Sequence, residues 1–331
     1  MTLNIGWIGC GRHATQMLLP QLSRVGFSIC ALCDQNPEAL KRTASHYGVR
    51  DTFLNWEEML ELKGLDAVCI AVGPEAHHRI ALEALRRGLP VFMEKPPALN
   101  HADAQEIASL ARKNRLPVHV GFMKRYSSGN KIARNILGKE AFGRILGVQA
   151  TYMTAPTYFE GAVDYSGFYL HHCVHYMDLI PWLVSSSFTE FGVRKSEPAP
   201  GKLLFHLNFE CKNGVIGTIV MGTVQSRGTP MEAITIMGDH QRIEINNVID
   251  VSWFRDPPFK VDDNSASLSE TVDTLTWTPN FTVAANEDHK GYVALLEDVA
   301  RGFSGESTAA PTIEDATEAM FWLERMIQEL R

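Results

Sequence analysis

The sequence contains no apolar run that approaches the roughly 20 residues needed to cross a membrane as a helix. It also has no long basic run, and its formal net charge is −7, which argues against a nucleic acid as a partner. The start, MTLNIGWIGCG, lacks a charged leader followed by an apolar stretch and a cleavage site. These absences predict a cytoplasmic protein that acts on neither membranes nor nucleic acids.

Cysteine is scarce, and the six residues present are scattered along the chain, which suits reduced thiols in a cytoplasmic core. Cys30 and Cys33 have CxxC spacing, but they lie within the strand-like segment FSICALCD. Because side chains alternate along a strand, an offset of three residues directs them to opposite faces. The pair therefore indicates neither a redox centre nor a zinc site.

The 331 residues predict about two domains. In residues 1–123, strand-like runs alternate with helical segments, which predicts an α/β domain with a doubly wound parallel sheet and helices on both faces. Residues 124–289 are rich in strand patterns such as KLLFHLNFEC and predict an α+β domain with an open-faced antiparallel sheet and a helix. Residues 290–331 have the pattern of two amphipathic helices.

A glycine-rich turn follows the first predicted strand. Gly9, Gly11 and Ala14 have the G-x-G-x-x-G/A spacing, in which the glycines allow a tight turn and let a pyrophosphate approach a helix N-terminus. The second strand ends at Asp34, where a carboxylate accepts hydrogen bonds from a ribose diol and repels a 2′-phosphate. The pattern predicts a Rossmann domain that binds NAD rather than NADP. The alternative is a plain sheet with a turn glycine and a capping aspartate.

A later strand ends in the segment VFMEKPPALN, at the edge where ligands bind in open α/β sheets. Lys95 follows Glu94 there and is held by two prolines, so desolvation can lower its proton affinity and suit it to acid–base work. The alternative is a surface lysine before a proline turn. The candidate cofactor-binding residues are Gly9, Gly11, Arg12, His13, Ala14, Asp34, Val72, Glu94 and Lys95.

The segment GFYLHHCVHYMDLIPWL carries three histidines within five positions. On a helix, His171, His175 and Asp178 lie on one face, and His172 points elsewhere. Two histidines four residues apart with an acid nearby can also bind a metal, although Asp178 is the only evident further ligand at helical reach. The sequence alone leaves both interpretations open.

The chain resembles the glucose–fructose oxidoreductase/inositol dehydrogenase family, also called Gfo/Idh/MocA. The motifs that carry the resemblance are IGCGRHA, EKPPALN, HYMD and VHVGFMKRY. The resemblance implies NAD(P)-dependent oxidation or reduction of a sugar, cyclitol or related polyol. It also implies C-terminal helices that return to the Rossmann domain, and homodimers or homotetramers often built through the open sheet.

The family pattern D-x-G-x-H-x-x-D is altered in this chain. His175 matches the catalytic histidine and Asp178 the last acid, whereas His171 replaces the first acid and Cys173 the glycine. We expect Lys95 and His175 to share the acid–base chemistry, with His171 as a second relay or a ligand of a substrate hydroxyl. Two alternatives are a non-catalytic NAD-binding sensor or scaffold and a metal-assisted enzyme that uses His171 and His175.

Residues after the last Rossmann strand provide further candidates. Arginine and lysine bind carboxylates and phosphates well, so an acidic or phosphorylated sugar is one possible substrate, and a solvated loop is the alternative. Four tyrosines precede or begin the histidine segment, at positions 152, 158, 165 and 169, where such rings stack on sugars or pack a sheet. For His77, His78 and His172 the favoured interpretation is a polar helix position or a surface cap, and substrate binding is the alternative at His172. The candidate substrate-binding residues are Lys124, Arg125, Tyr126, His172 and Asp178.

Overall fold

A computed structural model describes residues 2–155, 164–226, 231–255, 274–278 and 288–331. The chain forms two compact units. The first comprises Met1–Tyr126 and Gly291–Glu324, and the second comprises Ser127–Lys290 and Arg325–Arg331. Position 158 lies outside the described residues. So does most of the polar, Ser/Asp-rich stretch at 260–280, which the sequence predicts to be a loop or a peripheral strand. Among the described residues, no helix combines the length and the apolar character that a membrane span requires.

The first unit is built on a six-stranded sheet in the order β3-β2-β1-β4-β5-β6, and every pair of neighbours is parallel. Its strands are β1 (Leu3–Ile8), β2 (Phe27–Cys33), β3 (Asp51–Phe53), β4 (Ala67–Ile70), β5 (Val91–Met93) and β6 (Val118–Val120). The helices in this region are α1 (Pro37–Tyr47), α2 (Trp56–Met59), α3 (Pro74–Arg86) and α4 (His101–Asn114). This order confirms the predicted Rossmann sheet, whose strand order reverses direction between β1 and β4.

The helical segment after the glycine turn is irregular. A π-helical turn at Ala14–Leu18 leads into a 3₁₀ helix at Leu19–Arg24. Pro20 has no backbone N–H with which to continue an α-helical hydrogen-bond ladder, and the N–H of Leu19 instead bonds to the carbonyl of Ala14. The sequence periodicity thus predicts a helix here, but the proline changes its type.

Two helices, α8 (Tyr292–Phe303) and α9 (Ile313–Leu330), lie near the C-terminal end of the sequence. Leu295 and Leu296 of α8 belong to the same buried apolar cluster as Leu18 and Leu22 of the irregular helical segment. All four side chains are at most 2% exposed. The burial of this leucine cluster stabilises the first unit by the hydrophobic effect.

The second unit contains an eight-stranded sheet in the order β14-β13-β12-β11-β7-β10-β9-β8. Its strands are β7 (Ile145–Met153), β8 (Phe188–Ser196), β9 (Leu204–Cys211), β10 (Ile216–Gly222), β11 (Met231–Gly238), β12 (Gln241–Asn246), β13 (Asp250–Phe254) and β14 (Thr274–Trp277). Its helices include α5 (Ser128–Leu137), α6 (Ser166–Phe168) and α7 (Val174–Val184).

Most strand pairs of the second sheet are antiparallel, as the sequence predicts. The pair formed by β7 and β10 is parallel, which the sequence does not predict. Parallel neighbours need a long crossover connection, and the helical segments between β7 and β8 lie within that connection. Along β9, Phe205 and Leu207 are buried while His206 and Asn208 are exposed. This alternation confirms a sheet with one covered and one open face.

Candidate functional site

Four strands of the first unit end side by side. Cys33 of β2 pairs with Ile8 of β1, Ile8 pairs with Ile70 of β4, and Ile70 pairs with Met93 of β5. Because the strands are parallel, the residues that follow them emerge at one edge of the sheet. Those residues include the predicted cofactor-binding positions Gly9, Asp34, Val72, Glu94 and Lys95.

The glycine turn requires its first glycine. Gly9 has φ +105°, and a Cβ atom there would lie 2.2 Å from the carbonyl oxygen of Ala71, so a side chain would both strain the backbone and clash. Around Gly11, by contrast, no atom lies within 4 Å of the position of a Cβ. The backbone at Gly11 is therefore open to a close approach by a phosphate group.

The three residues that begin the following helical segment differ in their surroundings. Arg12 is exposed and its Nε donates a hydrogen bond to Oε1 of Gln16 at 3.2 Å. The Nε2 atom of His13 lies 3.6 Å from Oε1 of Glu94. Ala14 is 1% exposed, as expected for the small residue that lets the helix pack closely on the sheet.

The carboxylate of Asp34 is held by two backbone donors. Its Oδ2 accepts a hydrogen bond from the N–H of Cys10 at 2.6 Å, and its Oδ1 accepts one from the N–H of Asn36 at 2.7 Å. Each carboxylate oxygen has a second lone pair, so the group can still accept hydrogen bonds from ribose hydroxyls. The carboxylate is thus fixed in orientation between the glycine turn and the end of β2.

A cavity of about 310 Å³ opens beside this carboxylate. Its lining includes Gly9, Asp34, Trp56, Val72, Gly73 and Arg79. Charged and polar groups, among them Asp34, Glu75 and Arg79, line it together with apolar side chains. The cavity lies at the point where the strand order reverses, which is where dinucleotides bind in such sheets. These features fit the adenosine half of NAD.

Replacing Asp34 with asparagine is expected to weaken NADH binding about tenfold or more, because the ribose loses a charged acceptor. The affinity for NADPH should fall less or rise, because the charge that repels the 2′-phosphate is gone. Fluorescence titration with both nucleotides measures the two changes. Asp66→Asn is a matched control. The carboxylate of Asp66 also accepts a backbone hydrogen bond, from the N–H of Asn4 at 2.7 Å, but Asp66 does not line the cavity. Equal losses for NADH and NADPH would contradict the role of Asp34.

Glu94 is a buried acid at the end of β5, with 5% exposure. Its Oε2 accepts a hydrogen bond from the N–H of Lys95 at 3.3 Å. A Cβ atom at Gly121 would lie 2.6 Å from its Oε1, so the absence of a side chain at Gly121 makes room for the carboxylate. The functional need for Gly121 was not recognised in the sequence, although it lies in the VGF segment after β6.

The amine of Lys95 is partly buried beside this acid. Burial lowers the pKa of Lys95 below the ordinary lysine range, since desolvation disfavours the charged form. The charge of Glu94 acts in the opposite direction, and the charge of Lys124 lowers the pKa further. The peptide bond between Lys95 and Pro96 is cis. A lysine with reduced proton affinity at a ligand-binding edge can take up and return a proton.

His77 is fully buried, so its interpretation as a surface cap is wrong. Its Nδ1 lies 2.8 Å from the carbonyl oxygen of Pro96, and its Nε2 lies 3.3 Å from the backbone nitrogen of Val72. On α3 it shares the buried stripe with Ile80 and Ala84, and this helical spacing was the overlooked sequence signal.

The side chain of His78, in contrast, is partly exposed. Its Nε2 lies 2.9 Å from Oε2 of Glu106. The interpretation of this residue as a polar helix position is therefore consistent with the structure.

The residues after β6 are not a solvated loop. Lys124 and Tyr126 are each 8% exposed. The hydroxyl of Tyr126 donates to Oδ2 of Asp298 on α8 at 2.5 Å, and the guanidinium of Arg125 lies 3.4 Å from Oδ1 of Asp315 on α9. Arg125 and Tyr126 therefore contact the C-terminal helices within the first unit, whatever further contacts they make.

The histidine segment of the second unit begins with a π-helical turn at Tyr169–Cys173 and continues as α7. His175 and Asp178 are 7% and 3% exposed, whereas His171 is exposed. The prediction that all three share one face assumed a regular α-helix, and the wider π turn changes the direction of the residues before α7. Such π turns occur frequently at functional sites.

His172 contacts the sheet of the second unit. Its Nδ1 lies 2.6 Å from the hydroxyl of Tyr152 on β7, and the two rings are stacked with centroids 5.2 Å apart. Next to this pair, the hydroxyl of Tyr176 donates to Oε1 of Glu232 on β11 at 2.9 Å. The covered face of the sheet thus carries a polar cluster that includes His172 and Tyr176, which precede and follow His175 in the chain.

Metal ligation receives no support from the part of the chain that the structure describes. Within it, no three His, Cys, Asp or Glu side chains are grouped so that they could hold a metal ion.

Comparison with known proteins agrees with this arrangement. The model of the Gfo/Idh/MocA oxidoreductase family, described as an NAD-binding Rossmann fold, matches residues 3–122. The model of the family's C-terminal alpha/beta domain matches residues 136–331. An inositol 2-dehydrogenase of Salmonella paratyphi B is 28% identical over 191 residues, which cover 57% of this chain and 56% of that protein. The match thus spans little more than half of the relative.

Solved structures show the same fold. A dehydrogenase from Chromobacterium violaceum superposes with a TM-score of 0.86 at 18% identity, covering 99% of this chain and 95% of that one. A levoglucosan dehydrogenase in complex with NADH and levoglucosan superposes with a TM-score of 0.83 at 17% identity, covering 99% and 97%. The chain therefore belongs to the Gfo/Idh/MocA oxidoreductase family, with an NAD-binding Rossmann fold followed by the family's C-terminal domain, as its motifs predicted.

Proposed function

We propose that the protein is an NAD-dependent oxidoreductase that interconverts a CH–OH group and a carbonyl on a sugar, cyclitol or related polyol. The observation that carries the proposal is the row of four strand ends in the first unit. It presents a dinucleotide-binding turn, a ribose-binding carboxylate and a lysine of lowered pKa at one edge of a sheet. This combination supports redox chemistry on a hydroxyl-bearing carbon.

The substrate class rests on the relatives. The relative of Salmonella paratyphi B is an inositol 2-dehydrogenase, and a levoglucosan dehydrogenase of the same fold is in complex with NADH and levoglucosan. Both substrates are rings that carry several hydroxyl groups. We extend this class, and no individual substrate, to the present chain.

The residues that would hold NAD are those of the glycine turn together with Asp34, Val72 and Glu94. When bound, NAD supplies the acceptor for the hydride that leaves the substrate carbon. Oxidation also requires a group that takes the hydroxyl proton. In the neutral form that burial favours, Nζ of Lys95 accepts this proton, and in the reverse direction it returns the proton to the carbonyl oxygen.

His175 is the second proton-transfer group of the proposal. Its imidazole is buried on α7, and Asp178 follows three residues later on the same helix, a spacing at which helical side chains are neighbours. His171 replaces a carboxylate of the family pattern and is exposed. We assign it to a second relay or to a hydrogen bond with a substrate hydroxyl, together with His172.

Lys124 is the best-placed anion-binding candidate of the segment after β6. It is buried, and its charge lowers the pKa of Lys95. Arg125 and Tyr126 contact acids of the C-terminal helices, so their proposed roles in substrate binding are secondary. The homodimer or homotetramer that the family resemblance implies stays a prediction.

The test is a turnover assay in which purified protein with NAD is offered inositols, aldoses, anhydrosugars and sugar acids while NADH formation is followed. Turnover of at least one polyol supports the proposal. Tight NADH binding without turnover across the whole panel would instead favour a sensor or scaffold of the same fold. Failure to bind NADH would contradict both functions.

A further inference from the structure

His77 connects two loops of the first unit that are distant in sequence. It lies in the first turn of α3 and is 0% exposed. One ring nitrogen contacts the backbone of Val72, in the loop after β4, and the other contacts the backbone of Pro96, in the loop after β5. Both contacts are to main-chain groups, so they constrain the paths of the loops themselves.

The two contacts allow only one protonation state of the ring. The backbone N–H of Val72 can only donate, so Nε2 must present its lone pair. The carbonyl of Pro96 can only accept, so Nδ1 must carry the proton. A doubly protonated ring would direct an N–H of His77 against the N–H of Val72 in a buried site, which leaves two donors unsatisfied.

The electrostatic surroundings agree with a neutral ring. Burial lowers the pKa of His77, and the charge of Lys95 lowers it further. The Pro96 carbonyl and the charges of Glu94 and Glu75 act in the opposite direction. Since the desolvation of the ring is the largest of these effects, the neutral form prevails in the folded protein.

The connected loops carry the two halves of the proposed chemistry. Val72 lines the cavity beside Asp34, and Pro96 directly follows Lys95. We propose that His77 is a positioning residue which, as the Nδ1–H tautomer, fixes the backbone of the Lys95 loop relative to the cofactor-binding loop. This inference rests on the proposed function for its effect on turnover, because displacement of a catalytic group by about 1 Å can lower the rate of a reaction about 100-fold.

Two substitutions separate the two contacts. In His77→Asn the side-chain amide nitrogen occupies the place of Nδ1, so the donor to Pro96 is kept and the acceptor for Val72 is lost. In His77→Gln the amide oxygen reaches the place of Nε2, so the acceptor is kept and the donor is lost. We expect His77→Asn to weaken NADH binding about tenfold with kcat nearly unchanged, and His77→Gln to lower kcat about tenfold with NADH affinity nearly unchanged.

Two other histidines of the first unit serve as controls. His119 is also buried, at 3% exposure, but it packs against Phe303 and Gly302 of α8. His119→Gln should lower the melting temperature without changing kcat or the affinity for NADH. His78→Ala, on the same helix as His77 and partly exposed, should change neither stability nor function by much. If the two His77 variants cannot be distinguished from each other, or resemble His119→Gln, the inference is wrong.

A measurement on the wild-type protein keeps the inference testable if no substrate is found or a variant fails to fold. In ¹⁵N-histidine-labelled protein, we expect the His77 ring to show the spectrum of the Nδ1–H tautomer and to stay neutral over the whole pH range in which the protein is folded. An Nε2–H tautomer, or a ring that titrates in the folded state, would overturn the inference. The failure of turnover alone would count against the proposed function and leave this result standing.

Discussion

Replacing Lys95 with methionine is expected to lower kcat about 10³-fold, within the range of roughly 10²–10⁴ that a positioned general acid or base contributes. Methionine keeps most of the length and the apolar contacts of the lysine stem and removes only the amine. NADH affinity should fall much less than kcat, because the cavity beside Asp34, which fits the adenosine half of NAD, does not include Lys95. Lys113→Met, at an exposed position of α4, is the matched control.

The pH dependence gives this prediction a second test. Burial lowers the pKa of Lys95. The neutral amine that accepts the hydroxyl proton therefore forms at pH values below the ordinary pKa of a lysine. The oxidation rate of the wild type should therefore rise with pH through the lowered pKa, and Lys95→Met should lack that rise. A variant that keeps near-normal turnover, or the same rise, would show that another group is the base.

The same substitution should stabilise the fold at neutral pH. Because the pKa of Lys95 is lower in the folded than in the unfolded chain, the folded state binds fewer protons between the two values, and the stability of the wild type rises with pH there. Below the folded pKa the wild type carries the full penalty of a desolvated ammonium, and Lys95→Met does not. Urea denaturation should show a more stable variant at neutral pH, and its advantage should disappear above the unfolded pKa.

The sequence predicts candidate site residues most readily where their chemistry is local. Gly9 and Asp34 were recognisable because a turn glycine and an acid at a strand end act through their own backbone positions. Lys95 was recognisable because the residues around it mark the end of a buried strand. Each of these predictions needed only the order of strands and helices, which the apolar periodicity gives.

Features that depend on distant partners were missed or incomplete. The burial of His77 agrees with its place on the apolar stripe of α3, but no local pattern shows that its ring contacts the carbonyl of Pro96, 19 residues away. The room that Gly121 leaves for Glu94 is likewise a contact between neighbouring strands. The π turn before α7 and the parallel pairing of β7 with β10 are set by tertiary packing, which overrides regular periodicity.

His175 is the proton-transfer residue expected in the second unit, and His175→Asn should lower kcat by about 10²-fold or more. Asparagine is close in shape and can keep a hydrogen bond, but it cannot accept and release a proton near neutral pH. His206→Asn is the matched control, because His206 lies on the exposed side of β9. Near-normal turnover of His175→Asn would remove this residue from the mechanism, whatever the result at Lys95.

The exposed His171 allows a further test of the same group. His171→Asp restores the acid of the family pattern four residues before His175, within the π turn that leads into α7. A carboxylate at position 171 favours the protonated imidazole of His175. The low-pH limb of the profile of kcat against pH should therefore move to higher pH. The shift should depend on His175, because the double variant His171→Asp/His175→Asn has no imidazole at 175 to respond. If the limb moves equally in the double variant, the carboxylate acts on another group and the assignment of the relay to His171 and His175 fails.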